Sequence, residues 1–453
     1  SNAYTDMEST NYYFNIANEA FREGLDRFSQ FFIAPLFTQD ATSREMMAIE
    51  SEHSKNIAQD MWRRFQLLKT TCSKSHPFHK FGTGNLETLD KIPAQEHSLD
   101  IRQELIKFHA KYYSSNLMRL VICSNHSIEQ MTSWVKESFA GVKNLSAEEP
   151  GMEYVNKQVF TSSELSKWIR YVPVKDTKEI TLIFPIPIKD KERAWTIKPD
   201  RYVAHYLGHE GEGSLFSYLK KLGLLYACMA GVAHQFSGYE LFMISMRMTS
   251  EGEKQWNKIV SAVFEYLKLL RESGPQKHIF DEVANLAQAQ FQYMDKRSDP
   301  DFISRWASNL QKYPADKVLS ASFLSFDYSA DILNEYLQFL VPSNMNIYFA
   351  SQSHESETTE EERWYKIKYS VSDIDPQLIQ KWSNGEPVGE AADVRLVRPN
   401  PFIPQSFALK EVAEQKPYPT LLRDNGKVKL WFKQDYVFKQ PKVNIFYNII
   451  IPE

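Results

Sequence analysis

The chain has 453 residues, 43% hydrophobic and 24% charged, so it is globular and too long for one ordinary core; two or three domains are expected. A net charge of −4 gives no electrostatic basis for binding nucleic acid or an anionic membrane, and neither is expected as a partner. Three scattered cysteines (Cys72, Cys123, Cys228) without a CxxC argue against a disulfide framework or a cysteine zinc site and fit a reducing, cytoplasmic compartment, and no apolar run approaches the roughly 20 residues needed to span a bilayer.

In chain order, Ser1-Asn2-Ala3 is open to two explanations, a cleavage scar or native sequence; no secretory signal is visible. The apolar stretch Tyr12–Ile16 predicts a strand leading through Glu23-Gly24 into an amphipathic helix, LDRFSQFF. A helical pattern follows in REMMAIESEHSKNIAQDMWRRF, residues 44–65. Thr42 and Glu45 form a T-x-x-E box predicted to cap it. Glu45 and Glu52 lie seven residues apart; at about 100° per residue they return to within about 20° of one another, on one face. Two acids so placed suit a metal ligand and the acid that backs it, and equally a solvated acidic face.

His76-Pro-Phe-His79 reads as a solvated turn, and Gly82-Thr-Gly84-Asn85 lacks the Lys and Ser/Thr of a phosphate loop. His205 and His209 stand at i, i+4 but without the glutamate of HExxH or HxxEH. Glycines 208, 211 and 213 interrupt any helix there, so polar capping at a helix N-terminus is expected rather than a zinc pair. The terminal stretch Val443–Pro452 reads as an apolar strand.

The chain repeats itself. Leu241–Ile244, Glu251-Gly252 and the helix KIVSAVFEYLKLL match the N-terminal strand, Glu-Gly and helix. SSNLMRLVICS (114–124) matches PSNMNIYFAS (342–351), each entered from a helix. Gly24 to Asn116 and Gly252 to Asn344 both span 92 positions. Two homologous α+β domains follow, each expected to be an antiparallel sheet with helices on one face. An offset of 228 places Glu45 and Glu52 on Ser273 and Phe280, so the acidic pair belongs to one copy only.

Taken together and in order, FREGLDRFSQFFIAPLF, REMMAIESEHSKN, HPFHKFGTGNLETL, FHAKYYSSNLM, GHEGEGSL and LWFKQD resemble the pitrilysin/insulinase (inverzincin) family of zinc metallopeptidases, in its insulin-degrading-enzyme branch. The resemblance runs from end to end. It implies the N-terminal half of a two-bowl peptide chamber: a first peptidase-like domain at 1–148 lacking its N-terminal part, a second, homologous inactive domain at 149–385, a linker at 386–425 and the start of a third domain at 426–453. It also implies Glu52 as a zinc ligand and Glu45 as its supporting acid. Asn2, Ala3 and Tyr4 become a substrate-pairing edge strand, Trp62 and Phe65 aromatic groups near the cleft, and His205, Gly208, Glu210, Cys228 and Ala230 an exosite for a substrate's N-terminus. The implied partners are peptide substrates, the remaining half of the same polypeptide and, through an unpaired terminal strand, a second copy in a homo-oligomer.

None of the eleven histidines belongs to an HxxEH, which would supply two zinc ligands and the general base. No catalytic residue is therefore expected in this chain, nor zinc bound by it alone, although Zn2+ is implied for the full-length protein. Two functions stay open: part of a zinc metalloendopeptidase acting on oligopeptides, or a non-catalytic peptide-binding or regulatory subunit of the same fold.

Overall fold

The N-terminal strand pattern condenses into a short hairpin, β1 (Asn2–Thr5) against β2 (Thr10–Tyr13), antiparallel with Ala3 opposite Tyr12. The computed structural model describes residues 1–451 apart from 150, 296–297, 386–393, 405 and 412–413. Parts of the expected linker at 386–425, namely 386–393, 405 and 412–413, and the terminal residues Pro452 and Glu453 thus lie outside the described residues.

After the hairpin, α1 (Phe21–Ile33) buries Phe21, Leu25 and Ser29 at four-residue spacing. Gly24 allows its close approach to the preceding chain: a β-carbon there would stand 2.9 Å from the Ile16 side chain. Next come α2 (Gln39–Asn56), α3 (Asp60–Thr70) and α4 (Ile101–Tyr112).

Beyond residue 165 the chain builds a seven-stranded sheet, ordered β5-β6-β4-β7-β3-β9-β8. Its strands are β3 (Lys167–Tyr171), β4 (Glu179–Pro187), β5 (Leu225–Phe236), β6 (Tyr239–Met248), β7 (Asn346–Ala350), β8 (Glu360–Glu361) and β9 (Lys368–Asp373). On one face, α5 (Pro199–Leu207), α6 (Leu215–Lys221), α7 (Trp256–Ser273), α8 (Ala330–Gln338) and α9 (Pro376–Asn384) enclose the main core with Ile180, Leu182, Phe184, Ile186, Ile347 and Phe349.

The fold is α+β, and four details differ from the sequence expectation. The sheet is not purely antiparallel, since β3 runs parallel to β7. It is covered on both faces: Ile183, Ile169, Tyr171 and Tyr348 pack with Leu67 and Leu68 of α3 and with Phe78. The run ITLIFPIP in β4, apolar apart from Thr181 and buried from Ile180 to Ile186, is the pattern of a strand enclosed on both sides. Among the described residues, the N-terminal part carries only its hairpin. Residues 118–124 form no ladder. Residues 443–451 likewise form no ladder.

Helix α2 also starts earlier than its T-x-x-E box suggests. Thr38, not Thr42, is the cap and accepts the Ala41 N–H at 3.3 Å. Thr42 lies within the helix and donates back to the Thr38 carbonyl at 3.0 Å. Asp40 in the first turn, favourable toward the helix dipole, supports the extra residues.

Candidate functional site

Four groups of candidate residues lie on α2, on α3, on β1 and at the edge strand β5. Both Glu45 and Glu52 fall within α2 and are exposed, as the seven-residue spacing requires. Among the described residues neither makes an ion pair, and their neighbours are otherwise engaged. Glu50 accepts the Leu86 N–H at 2.8 Å, and Arg44 pairs with Asp40. His53, beside Glu52, turns inward: it is 4% exposed, with its ring edge-on to Phe81 at 5.3 Å and Tyr365 at 5.0 Å. A catalytic zinc site needs three protein ligands. Among the described residues no three His, Cys, Asp or Glu side chains come together to hold a metal. One exposed carboxylate does not make such a set, and no hydrolytic step can be built on it.

Trp62 and Phe65 pack on the second apolar cluster. The Phe65 ring lies 4.8 Å from His234 and 6.1 Å from Phe78, and Lys69 stands over both phenyl rings at 5.1 and 5.4 Å. These aromatics join α3 to the sheet and line neither of the two cavities described below.

Asn2, Ala3 and Tyr4 are exposed, and among the described residues β1 pairs on one side only. The Tyr4 hydroxyl shares a hydrogen bond with Ser308 at 3.1 Å, and Asn11 donates to the Ser304 carbonyl at 3.2 Å, so the hairpin rests on the helix Asp299–Lys312.

Strand β5 is likewise an edge, pairing with β6 alone among the described residues and bulged at Leu225/Ala227 and Val232/His234. The C-terminal end of α5 meets it: the Cys228 thiol donates to the Leu207 carbonyl at 3.5 Å. Burial pushes this thiol up to about 12, so it is inert. Ala230 is half-buried against the main core, and Glu210 is exposed. The two histidines straddle a helix C-terminus, not an N-terminus, because α5 ends at Leu207 with Gly208 after it. Their rings lie 5.4 Å apart. Burial lowers both imidazoles, with His209 adding to the effect on His205, and His209 Nδ1 accepts the Gly211 N–H at 2.9 Å. The polar cap belongs to the next helix, where Ser214 accepts the Ser217 N–H at 3.2 Å. His205, Gly208, Cys228 and Ala230 thus gather where α5 meets an open sheet edge.

A cavity of about 2230 Å³ opens between the hairpin loop, α1, residues 115–125 and the segment 186–201. A smaller one, of about 560 Å³, includes Arg201, His205 and Arg305. Neither is lined by Glu45 or Glu52. In the wall of the larger cavity lies a feature with no sequence signature, Glu240. It is 7% exposed and accepts the Tyr336 hydroxyl at 2.6 Å. Burial, reinforced by Asp200, raises its carboxyl to about 7. A lone glutamate at the head of an apolar strand gives no hint of this.

Comparison with known proteins places these elements. A family model described as "Insulinase (Peptidase family M16)" matches residues 1–75, one described as "Peptidase M16 inactive domain" matches 100–286, and one described as "Middle or third domain of peptidase_M16" matches 291–453. The chain belongs to the insulinase (M16) peptidase family. Within this family it is 38% identical over 453 residues to the insulin-degrading enzymes of Bos taurus and Homo sapiens, covering 100% of this chain and 44% of each relative. It is 36% identical over 456 residues to the A-factor-processing enzyme of Saccharomyces cerevisiae, covering 100% of this chain and 43% of that one. The crystal structure of pitrilysin superimposes with a TM-score of 0.82 at 27% identity, over 94% of this chain and 44% of that one. The chain spans less than half the length of the curated relatives it matches. Glu45 and Glu52 lie in the part that matches the insulinase model, and the His205 group in the part that matches the inactive-domain model.

Proposed function

We propose that this chain is the N-terminal half of a zinc metalloendopeptidase that hydrolyses oligopeptides inside a closed chamber. It contributes Glu52 as one zinc ligand, with Glu45 as the acid behind it. The observation that carries this is Glu52 itself: an exposed carboxylate, free of ion pairs among the described residues, on a helix within the insulinase-matching segment. Zinc, when bound, would polarise the scissile carbonyl and activate water; the remaining ligands and the general base would come from an HxxEH outside this chain. The division into domains at 1–148, 149–385 and 426–453 belongs to the same proposal.

This chain's own part is to bind and orient. The open edge of β1, with Asn2, Ala3 and Tyr4, offers backbone N–H and C=O groups to an extended peptide. The β5 edge beside His205, Gly208, Glu210, Cys228 and Ala230 offers a second anchoring point for a peptide N-terminus. Trp62 and Phe65, aromatic groups near the cleft in the same reading, pack where α3 meets the sheet. A reducing cytoplasmic setting suits the three free cysteines.

The test uses the full-length protein and this chain side by side. The full-length protein is expected to hold one zinc per active site and to cleave a fluorogenic peptide, with loss under chelation and recovery on adding zinc. Glu52→Gln should abolish both zinc retention and cleavage, while this chain alone shows neither. A full-length protein that binds no zinc would replace this reading with the non-catalytic peptide-binding subunit, and zinc-dependent cleavage by this chain alone would overturn the incomplete site.

A further inference from the structure

The carboxylate-bearing helix α2 has few points of attachment: across 18 residues its only buried side chains are Thr42 and His53. Thr42 serves the first turn, so the end that carries Glu52 is held by the bond from the Leu86 N–H to Glu50 and by the seat of the His53 ring. That seat is built partly from far along the chain. Phe81 and Tyr365, the latter 1% exposed, each meet the imidazole at a near-perpendicular angle. Trp364 backs Phe81 in a parallel stack, with centroids 4.6 Å apart and planes at 13°. The Tyr365 hydroxyl shares a hydrogen bond with Thr83 Oγ1 at 2.9 Å.

Both aromatics sit at the tip of the β8–β9 hairpin, and the tip is braced before it reaches α2. Glu362, 2% exposed, accepts the N–H groups of Trp364 and Tyr365 on one carboxylate oxygen at 3.0 and 2.6 Å. Its own backbone closes the turn with Ile367 and Lys366 at 2.8 and 3.0 Å, and Lys366 takes the left-handed conformation, φ 56°. From outside, Arg63 of α3 donates to the Tyr365 carbonyl at 2.7 Å, and Arg363 pairs with Glu87. An energetically costly left-handed residue, an internal carboxylate brace, the external Arg63 and the outward Arg363–Glu87 pair hold one short tip against one ring.

We propose that the hairpin tip Arg363–Tyr365 is a positioning element for the acidic face of α2: by clamping His53, it fixes the rotation of the helix that presents Glu52 and Glu45. His53 follows Glu52 by one residue, about 100° around the helix, so the ring points inward while the carboxylate points out. Any rotation of α2 that frees the ring swings the carboxylate with it. The sheet-bearing part of the chain thereby sets the geometry of a ligand on the N-terminal part. The link to zinc rests on the function proposed above; the clamp on α2 does not.

Hydrogen exchange in this chain tests the clamp directly. Trp364→Ala is expected to speed amide exchange across residues 45–56 at least tenfold and to leave α1 unchanged, whereas Trp364→Phe, which keeps the stack, restores the parent rate. Unchanged exchange at 45–56 in Trp364→Ala, or acceleration spread evenly over the chain, would overturn the proposal. If Trp364→Ala does not fold, Tyr365→Phe, which removes only the bond to Thr83, is expected to give a smaller acceleration confined to the same residues, and its absence would overturn the proposal equally. In the full-length protein Trp364→Ala should weaken zinc affinity by about tenfold, the scale of losing an outer support of a metal ligand, with recovery in Trp364→Phe. Zinc affinity unmoved by Trp364→Ala but lost in Glu52→Gln would refute the positioning role alone. Affinity unmoved by Glu52→Gln would instead refute Glu52 as a ligand and leave the exchange result to judge the clamp.

Discussion

Thr71, at the C-terminal end of α3, shares a hydrogen bond with Tyr348 in the central strand β7, with 2.7 Å between the hydroxyl oxygens. The other end of α3 is tied as well, since Asp60 accepts the N–H groups of Val174 and Lys175 at 2.7 and 3.0 Å. Between these ties Leu67 is fully buried against the sheet. The helix is therefore part of the sheet's core, not a neighbour of it. Leu67→Ala is expected to lose about 2–5 kcal/mol, the range for truncating a buried leucine. Urea unfolding followed by tryptophan fluorescence and by circular dichroism should give coincident transitions, because the N-terminal helices and the sheet unfold together. Two separated transitions would contradict a shared core.

The same interface is acid-sensitive. His76 is 2% exposed, and its Nδ1 accepts the Phe78 N–H at 3.2 Å. Burial, then Lys157 and His79, push its imidazole down to about 4. His234, between Phe65 and Phe78, is also lowered to about 4, by burial and then by Lys69. An unfolded imidazole titrates near 6.5, so between about 6.5 and 4 the unfolded chain binds protons that the folded chain refuses. The stability that depends on these neutral rings is complete above about 6.5 and is lost as pH falls through about 4. Thermal midpoints of the parent should drop more steeply over this window than those of a His76→Asn, His234→Phe variant. Parallel curves would remove the role assigned to the two rings.

Glu240 works in the opposite direction. Its folded carboxyl is raised to about 7 from an ordinary 4.5, by burial, with Asp200 reinforcing the rise and the Tyr336 hydroxyl opposing it. A raised carboxyl contributes stability that is complete below its unfolded value and is lost as pH rises through its folded value. Glu240→Gln keeps an oxygen for the Tyr336 hydroxyl and removes the ionisation. The variant should match the parent near pH 4 and exceed it at pH 8 by on the order of 1–3 kcal/mol, the free energy of a titration displaced this far. Denaturant midpoints at the two pH values check this, and a variant less stable at pH 8 would contradict it.

Local patterns in the sequence carried far, and their limits have physical causes. The spacing of Glu45 and Glu52 placed both on one helical face, whereas the close approach at Gly252, where a β-carbon would stand 2.1 Å from the Leu224 carbonyl oxygen, had no part in that reading. Thr42 imitated a cap because a T-x-x-E box says nothing of a better cap four residues upstream. The cover that α3 lays over the sheet was hidden because an amphipathic stripe reveals that a face is buried, not against what. A signal for it did exist, in the nearly continuous apolar run of β4. The seat of His53 had none, for it is formed by Phe81 and Tyr365, and contacts between residues so far apart in the chain leave no local periodicity.

The C-terminal segment is the most exposed apolar stretch among the described residues. Phe446 is 93% exposed and Ile450 85%, and Val443, Tyr447, Ile449 and Ile451 are each at least 80% exposed. Residues 443–451 form no ladder, so their backbone donors and acceptors are as open as their side chains. A run of this kind, rich in β-branched and aromatic residues, is a template for pairing with another chain. In isolation the chain is expected to self-associate with rising concentration, as measured by sedimentation velocity. Phe446→Lys with Ile450→Lys should shift it toward monomer and leave the thermal midpoint nearly unchanged, because exposed substitutions cost within about 0.5 kcal/mol. If the parent stays monomeric at the highest attainable concentration, this segment is not the pairing edge. If the lysine variant lowers the midpoint sharply, the segment packs on its own chain instead.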